Sequence, residues 1–584
     1  MKKISAVIST GIIIGFVAGI LLASFHIATN HYIGHGLFRL AALTLQKDIN
    51  LTLLWTVAGC MALSLPWRFL VYAAGKMPRR FIAGIKGWRF FRRPRKAGTA
   101  KGMAYLAFSL FLLIACLNAT VIIYDNTAIP DKPNVVWFLI DALRADHLGC
   151  YGYEKDTSPF IDKFASESAL FTNAVSQESY TLASVSSYLT STYPATNRVL
   201  YLRPHFDRLS PAFITLAEVL RDKGYSTAAF ISNAHLSSRF NIGQGFDLYD
   251  DRIRAPGKAR LPLLERCNSA RMIFKRLKSY LAGHKRRPAF IYLHYMDVHS
   301  PYIPPPPYDK MFLEKKQDLS MRGHCVNVNA LEKIDRRIQE RALDLLISQY
   351  DGEIGHTSDY IEKTLAMLKG YGIDEMNSII IITADHGEEF LDRHPGDPGG
   401  LQHGRTLYQE QIHVPLIISF PDKEGAGKRI GPYVELVDIV PTALDAVDID
   451  WRKFGQFQGR SLLPLLRGDN AFARSPYSGG NHGRGMIING RWKFLNDDID
   501  VRGDRQNIYK RPSKDYKPAL EDELYNIKTD PHEKKDLIKK KRAVARESKG
   551  ELLGIEERYS SEKEAPRGTL GKKARQRLKA LGYL

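Results

Sequence analysis

A chain of 584 residues is too long for one ordinary domain, and 44% hydrophobic with 25% charged residues allows a large packed core. The composition excludes a disordered protein, and the sequence shows neither a long low-complexity tract nor an internal repeat. The net charge of +21 does not signal a nucleic-acid partner, because residues 1–132 hold +13 of it and all the rest only +8.

The chain begins with a membrane region, residues 1–124. Three apolar runs, Ile4–Ala28, Leu51–Ala74 and Met103–Tyr124, each reach the roughly 20 residues that a bilayer crossing needs. The first and third carry no Asp, Glu, Lys or Arg, and the second carries only Arg68, near enough to its end to snorkel. Buried core helices are the alternative reading, which three such runs in 124 residues disfavour. The loop 75–102 holds ten Lys or Arg and no acid, whereas residues 29–50 hold only Arg39 and Lys47 as strong bases. Basic loops stay in the cytoplasm, so the third span delivers everything after Tyr124 to the extracytoplasmic face of the cell membrane. The first span, behind Met1-Lys2-Lys3, also reads as a signal peptide, and cleavage there would leave the large domain on the same side. Residues 125–132 form a linker in which Asp and Pro break the helix.

From residue 133 the pattern changes to α/β. Asn134–Ile140, Thr227–Ile231, Ala289–Leu293, Ser378–Ile382 and Pro415–Phe420 are short apolar runs, predicted as strands. Helical spacing lies between them at Ser158–Glu167, Ala212–Lys223 and Glu340–Lys369. Apolar strands alternating with helices predict a mostly parallel sheet covered on both faces, with ligands at the carboxyl ends of its strands. The expected division is a catalytic domain at 133–455 and a smaller C-terminal subdomain with a basic tail at 456–584. Within that tail, Lys539–Arg542 reads as a solvated helix face. Of five cysteines, Cys150, Cys267 and Cys325 fall in the soluble part, which allows at most one disulfide there, with Cys267–Cys325 as a candidate. No cysteine spacing resembles a zinc site.

Five motifs carry candidate chemistry, and several of them sit just past the predicted strands. Asp141 follows the first strand and opens Asp141-Ala-Leu-Arg144-Ala-Asp146-His; an acid at a buried strand end is either a cap or a paired or metal-bound group. Asp385-His386-Gly387 follows the strand at Ser378, and two such strand ends can supply oxygen and nitrogen ligands to one divalent metal. Thr181, in Tyr180-Thr181-Leu-Ala-Ser184, is expected at the N-cap or first turn of a short helix, as a plain capping residue or as a hydroxyl at an anion-binding end. The fourth motif is His294-Tyr-Met-Asp297-Val-His299-Ser-Pro301-Tyr302, and the fifth begins at His403. Their histidines read as structural, or as groups that bind an anionic ester and protonate a leaving oxygen. The Gly/Pro-rich stretch Asp392–Leu401 reads as a lid.

In this order the five motifs resemble the sulfatase family, a branch of the alkaline phosphatase superfamily. The resemblance covers roughly residues 133–530 and includes Tyr350-Asp351-Gly352-Glu353, Val437-Asp438-Ile439-Val440-Pro441-Thr442, Gly459-Arg460-Ser461 and Glu523-Leu524-Tyr525-Asn526, with Leu581-Gly582-Tyr583-Leu584 like family endings. It implies an alkaline phosphatase-like α/β/α sandwich and an enzyme that cleaves or transfers a sulfuric or phosphoric ester. It implies metal ligands at Asp141, Asp385 and His386, and a nucleophile at Thr181 that also binds the metal. It implies that His299 contacts the transferred group or the leaving oxygen, and that His403 holds the anionic group. Arg144 and Asp146 receive no definite role.

Two departures matter. Formylglycine-type sulfatases carry Cys or Ser at the nucleophile, followed by x-Pro-x-Arg, whereas Thr181 is followed by Leu182, Ala183, Ser184 and Val185. A Thr β-carbon bears a methyl group and cannot become formylglycine. Many sulfatases have a second Asp where Ala142 stands, which moves the expected metal from calcium toward manganese or zinc, with magnesium also open. A Thr nucleophile resembles the phosphotransferase branch, whose members move phosphoethanolamine or phosphoglycerol from lipids. Three functions stay open: an ester hydrolase, a transferase acting on envelope lipids or glycans, and a catalytically silent membrane binding protein. The expected partners are the membrane and an anionic ester on a lipid or surface glycan, and no nucleic acid.

Overall fold

The computed structural model describes residues 132–199, 201–202, 205–252, 269–283, 288–313, 336–392, 401–404, 406–469, 474–479, 484–496, 522–559 and 567–568. These fall in one compact unit, Ile129–Leu584. The apolar runs at about 4–28, 51–74 and 103–124, most of the linker, Cys267, Cys325, residues 393–400 and Leu581–Leu584 lie outside the described residues. Among the described residues no helix is long and apolar enough to cross a membrane.

The frame is a sheet of nine strands among the described residues. These are β1 (Asn134–Ile140), β2 (Ala169–Val175), β3 (Ser226–Phe230), β4 (Leu248–Asp250), β5 (Ala289–Tyr295), β6 (Ser378–Thr383) and β7 (His413–Ser419), with two-residue β8 (Arg429–Ile430) and β9 (Val434–Glu435). Their order is β8-β2-β7-β6-β1-β5-β3-β4, and β9 also pairs with β2. Neighbours are parallel except around β7, which runs antiparallel to both β6 and β2. The sheet is therefore mostly parallel, as the apolar runs predict, but Pro415–Phe420 belongs to its reversed strand. The register of β7 on β2 shifts between Val414 and Leu416, where Pro415 has no N–H to give the ladder.

Every residue of β1 and β6 is buried, which explains why both read as unbroken apolar runs. Alternation along the strands assigns the two faces. Trp137 and its register partner Tyr292 meet Tyr188 of α2 (Thr181–Thr190), which follows α1 (Pro159–Ser166) in the chain, and the Trp137 and Tyr188 rings lie 5.0 Å apart. On the other face Phe138 packs against Tyr295, whose hydroxyl lies 3.1 Å from Thr364 Oγ1 on the long helix Arg336–Gly370. Each such side chain taken from water contributes about 1.5–3 kcal/mol, so this two-sided core fixes where the strand ends stand.

Most expected elements occur with shifted ends. The helix predicted over Ala212–Lys223 starts only at Leu216, because Thr215 and Glu218 form a capping box. The apolar run of strand β2 is interrupted by Thr172 and Asn173, which bond the carbonyls of Ile430 and Gly431. A second, antiparallel sheet of four strands (Tyr477–Gly479, Arg484–Ile488, Trp492–Asn496, Glu523–Asn526) lies in the C-terminal part. It joins the loop before α2, where Gly479 N–H donates to the Gln177 carbonyl at 2.9 Å. Lys539–Lys541 sit in an exposed turn just before the helix Arg542–Tyr559, not on a helix face.

Candidate active site

Parallel strands end together, and here the residues just beyond β1, β2, β3, β5 and β6 share one edge with the start of the reversed β7. Asp141 is the first residue after β1 and is wholly buried. Its Oδ2 accepts a 2.6 Å hydrogen bond from Asn233 Nδ2, and His294 Nε2 stands 3.4 Å from the same oxygen. Its Oδ1 has no hydrogen-bond partner. Asp385, two residues beyond β6, repeats the arrangement. Its Oδ1 accepts from the N–H groups of His386 (3.0 Å) and Ala142 (3.3 Å), while Oδ2 has no partner. Ala142 holds a left-handed φ of 60° to make that contact.

His386 completes the cluster. Its Nδ1–H donates to the Gly387 carbonyl at 2.9 Å, which leaves Nε2 as the lone-pair nitrogen. That Nε2 lies 3.7 Å from Asp141 Oδ1 and 3.5 Å from Asp385 Oδ2. Thr181 is the first residue of α2, and its hydroxyl donates to His386 Nε2 at 3.2 Å. A glycine after a strand-end Asp-His pair suggests a tight turn, but Gly387 has no positive φ. It serves a close approach instead: a Cβ there would lie 2.1 Å from the Glu410 carbonyl oxygen. Ser184, one turn along α2 from Thr181, donates to the Asp385 carbonyl at 2.7 Å, so the Thr-x-x-Ser spacing ties the hydroxyl to the acid loop.

These residues fit a divalent cation. Ligand atoms of Asp141, Asp385 and His386 all lie within 4.8 Å of one another in full burial. Two buried carboxylate oxygens without partners beside a lone-pair nitrogen are expensive unless a cation satisfies them. Electrostatics agrees. Burial works against ionisation at Asp141, yet His299, His294 and His386 outweigh it and hold its carboxyl well below the usual range. Burial, and then the Asp141 charge, push Asp385 up to about 7. Burial also lowers the pKa of His386.

The two remaining predicted residues face this cluster. The His403 ring centroid is 4.2 Å from that of His386 and 4.8 Å from that of His299. Nδ1–H of His299 donates to the Ser300 carbonyl at 2.7 Å, and Nδ1–H of His403 to Glu388 Oε1 at 2.9 Å, which fixes both tautomers. Buried Glu388 also accepts from the Tyr302 hydroxyl at 2.7 Å, and burial raises its pKa to about 7. Arg144, left without a role by the sequence, is buried and structural. It holds Asp146 on two bonds of 2.9 and 2.7 Å, Asp392 at 2.9 Å and the Glu388 carbonyl at 3.1 Å, and so clamps the first motif to the second. Sequence reasoning missed Asn233 and Glu388, and it placed His294 and Ser184 in motifs without their contacts to Asp141 and to the Asp385 carbonyl. The strand-end rule would have found Asn233 and the His294 contact, since these residues lie at the ends of β3 and β5.

An α/β frame with buried acids, histidines and a hydroxyl gathered at its strand ends suits the cleavage of an anionic ester. The sulfatase family profile matches residues 133–449, and the chain belongs to that family. It is 25% identical over 360 residues to an ulvan-active sulfatase of Formosa agariphila, covering 58% of this chain and 66% of that one. It is 27% identical over 499 residues to an arylsulfatase of Clostridium perfringens, covering 74% and 96%. Among solved structures, the phosphonate monoester hydrolase SpPMH from Silicibacter pomeroyi superposes with a TM-score of 0.56 at 17% identity, covering 74% of this chain and 96% of that one.

Proposed function

We propose that this chain is a membrane-anchored, metal-dependent hydrolase of an anionic ester, with Thr181 as its nucleophile. The observation that carries the reading is the Thr181 hydroxyl, buried at the first turn of α2 and 3.2 Å from His386 Nε2 beside two unpartnered carboxylate oxygens. A divalent cation held by Asp141, Asp385 and His386 would supply Lewis-acid polarisation of the ester and a lower pKa for the hydroxyl. The Thr181 hydroxyl gives up its proton to solvent and its oxygen attacks phosphorus or sulfur in line; the new O–P or O–S bond forms as the ester bond to the leaving oxygen breaks. The N-terminus of α2 favours the negative charge of the group then carried on Thr181. His299 or His403, once its Nε2 also carries a proton, gives that proton to the leaving oxygen, and Glu388 holds the His403 ring in place. Water then releases the group and regenerates the Thr181 hydroxyl.

The relatives' names pull in two directions. The ulvan-active sulfatase and the arylsulfatase suggest a sulfuric ester, and the phosphonate monoester hydrolase a phosphorus ester. An unmodified Thr hydroxyl favours phosphorus, because the formylglycine route is closed to it. A second reading keeps the same intermediate but gives the group to an alcohol on an envelope lipid or glycan. The apolar runs of residues 1–124 favour it, since they would anchor a catalytic domain at 133–455 and a C-terminal part at 456–584 against a membrane surface outside the cytoplasm. The test is to assay the full-length chain on aryl sulfate, phosphate monoester and phosphate diester substrates, with manganese, zinc, magnesium or calcium supplied. Phosphoester cleavage that needs the cation supports the reading. Cleavage of aryl sulfate alone moves it to sulfuric esters, and product appearing only with an added alcohol moves it to transfer. No turnover of any substrate with any cation returns the chain to a silent binding role.

A further inference from the structure

A second buried cluster lies outside the catalytic set. Asp297 follows β5 by two residues, and Glu353 and His356 stand three residues apart on the helix Arg336–Gly370, hence on one face of it. Their exposures are 1%, 0% and 3%. One oxygen of each acid has donors: Asp297 Oδ2 accepts from Ala270 N–H at 2.8 Å and from the Ser269 hydroxyl, and Glu353 Oε1 accepts from Ile303 N–H at 2.8 Å. The other oxygens, Asp297 Oδ1 and Glu353 Oε2, have no hydrogen-bond partner, and neither has His356 Nδ1. Ligand atoms of the three residues lie within 4.8 Å of one another, with Asp297 Oδ1 3.5 Å from His356 Nδ1.

Three buried, unsatisfied polar atoms converging on one point are an unstable arrangement unless something occupies that point. One oxygen of each acid is already fixed by an N–H group, as the outer hydrogen bonds of metal ligands are, and the other is turned inward. We infer that Asp297, Glu353 and His356 form a second divalent-cation site. Two carboxylate oxygens and an imidazole nitrogen suit an ion of the manganese or zinc class. The ion has a structural consequence. Asp297 and the Ile303 N–H bracket the segment that carries His299 and Tyr302, and both ends converge on this cluster. A cation there fastens the segment to the long helix and so holds His299 toward His403.

The test counts metal in the full-length protein by mass spectrometry, after loading with manganese or zinc and removal of free ion. Glu353→Gln and His356→Gln should each lower the count by one equivalent, and each should do so equally in the Asp141→Asn/Asp385→Asn background. That second comparison separates this site from the catalytic one, whose failure would leave it untouched. A count that both substitutions leave unchanged overturns the inference, and a proton held on Glu353 is then the occupant. If the variants do not fold, manganese anomalous scattering from crystals of the wild-type protein answers the same question. A peak between Asp297, Glu353 and His356 supports the site, and no peak in manganese-soaked crystals overturns it.

Discussion

Two clusters of the same composition, two carboxylates and one imidazole, are buried in this molecule and differ in what surrounds them. Asp141, Asp385 and His386 come from two strand ends, and the first turn of a helix brings a hydroxyl to 3.2 Å from the imidazole. Two more histidines, His299 and His403, pack beside them. Asp297, Glu353 and His356 are borne by a loop and a long helix, and the rings of Tyr308 and Tyr360 lie 5.5 and 4.9 Å from the imidazole. On the readings proposed above, the same ligand set would serve two purposes. A helix N-terminus and a hydroxyl would make one cluster a reaction centre, and the other would be a fastening point for the segment between Asp297 and Ile303.

Substitutions should separate the two, and the largest effect falls at the hydroxyl. Thr181→Ala should lower kcat by about 10⁴-fold or more and shift the melting temperature little, since the lost side chain makes one hydrogen bond, to His386. Kinetics and a thermal melt on the same preparation check it. Asp385→Asn should weaken cation binding at the strand ends and cost about 10³-fold in kcat, whereas His356→Gln should remove an ion and, by loosening the segment that carries His299, cost only about tenfold. Metal counts read beside turnover sharpen the comparison; equal activity losses from the two would break it. His403→Gln should cost about 10²-fold on a poor leaving group and much less on a good aryl one, as expected of a proton donor. Ser184→Ala should cost about 1 kcal/mol in stability by removing its bond to the Asp385 carbonyl, with less than about a tenfold change in kcat. Denaturant unfolding measures the first and steady-state kinetics the second.

Strand-end logic marked Asp141, Asp385 and His386 as a possible cation cluster from the sequence, and the family resemblance added Thr181, His299 and His403. Asp141 and Asp385 each follow an unbroken apolar strand, and the structure brings them together with His386, Thr181, His299 and His403 as the sequence order suggested. What the sequence hid depends on contacts between distant segments. Arg144 looks like any loop arginine until Asp392 and the Glu388 carbonyl meet it. Gly387 looks like a turn glycine, but the Glu410 carbonyl sets its requirement from another loop. The reversal of β7 carries no periodic signal, because a strand buried on both faces reads alike in either direction. The second cluster was invisible for the same reason, since Glu353 and His356 lie in an ordinary helix until Asp297 folds against them.

The central claim is that Thr181 forms the bond to the transferred group. It is tested most directly by acid-quenching the cation-loaded, full-length enzyme during turnover and locating the bound group by peptide mass spectrometry. The account predicts a phosphoryl or sulfuryl group on the Thr181 side chain, absent from Thr181→Ala. The same group on another residue, with Thr181→Ala still turning over at the wild-type rate, would contradict it.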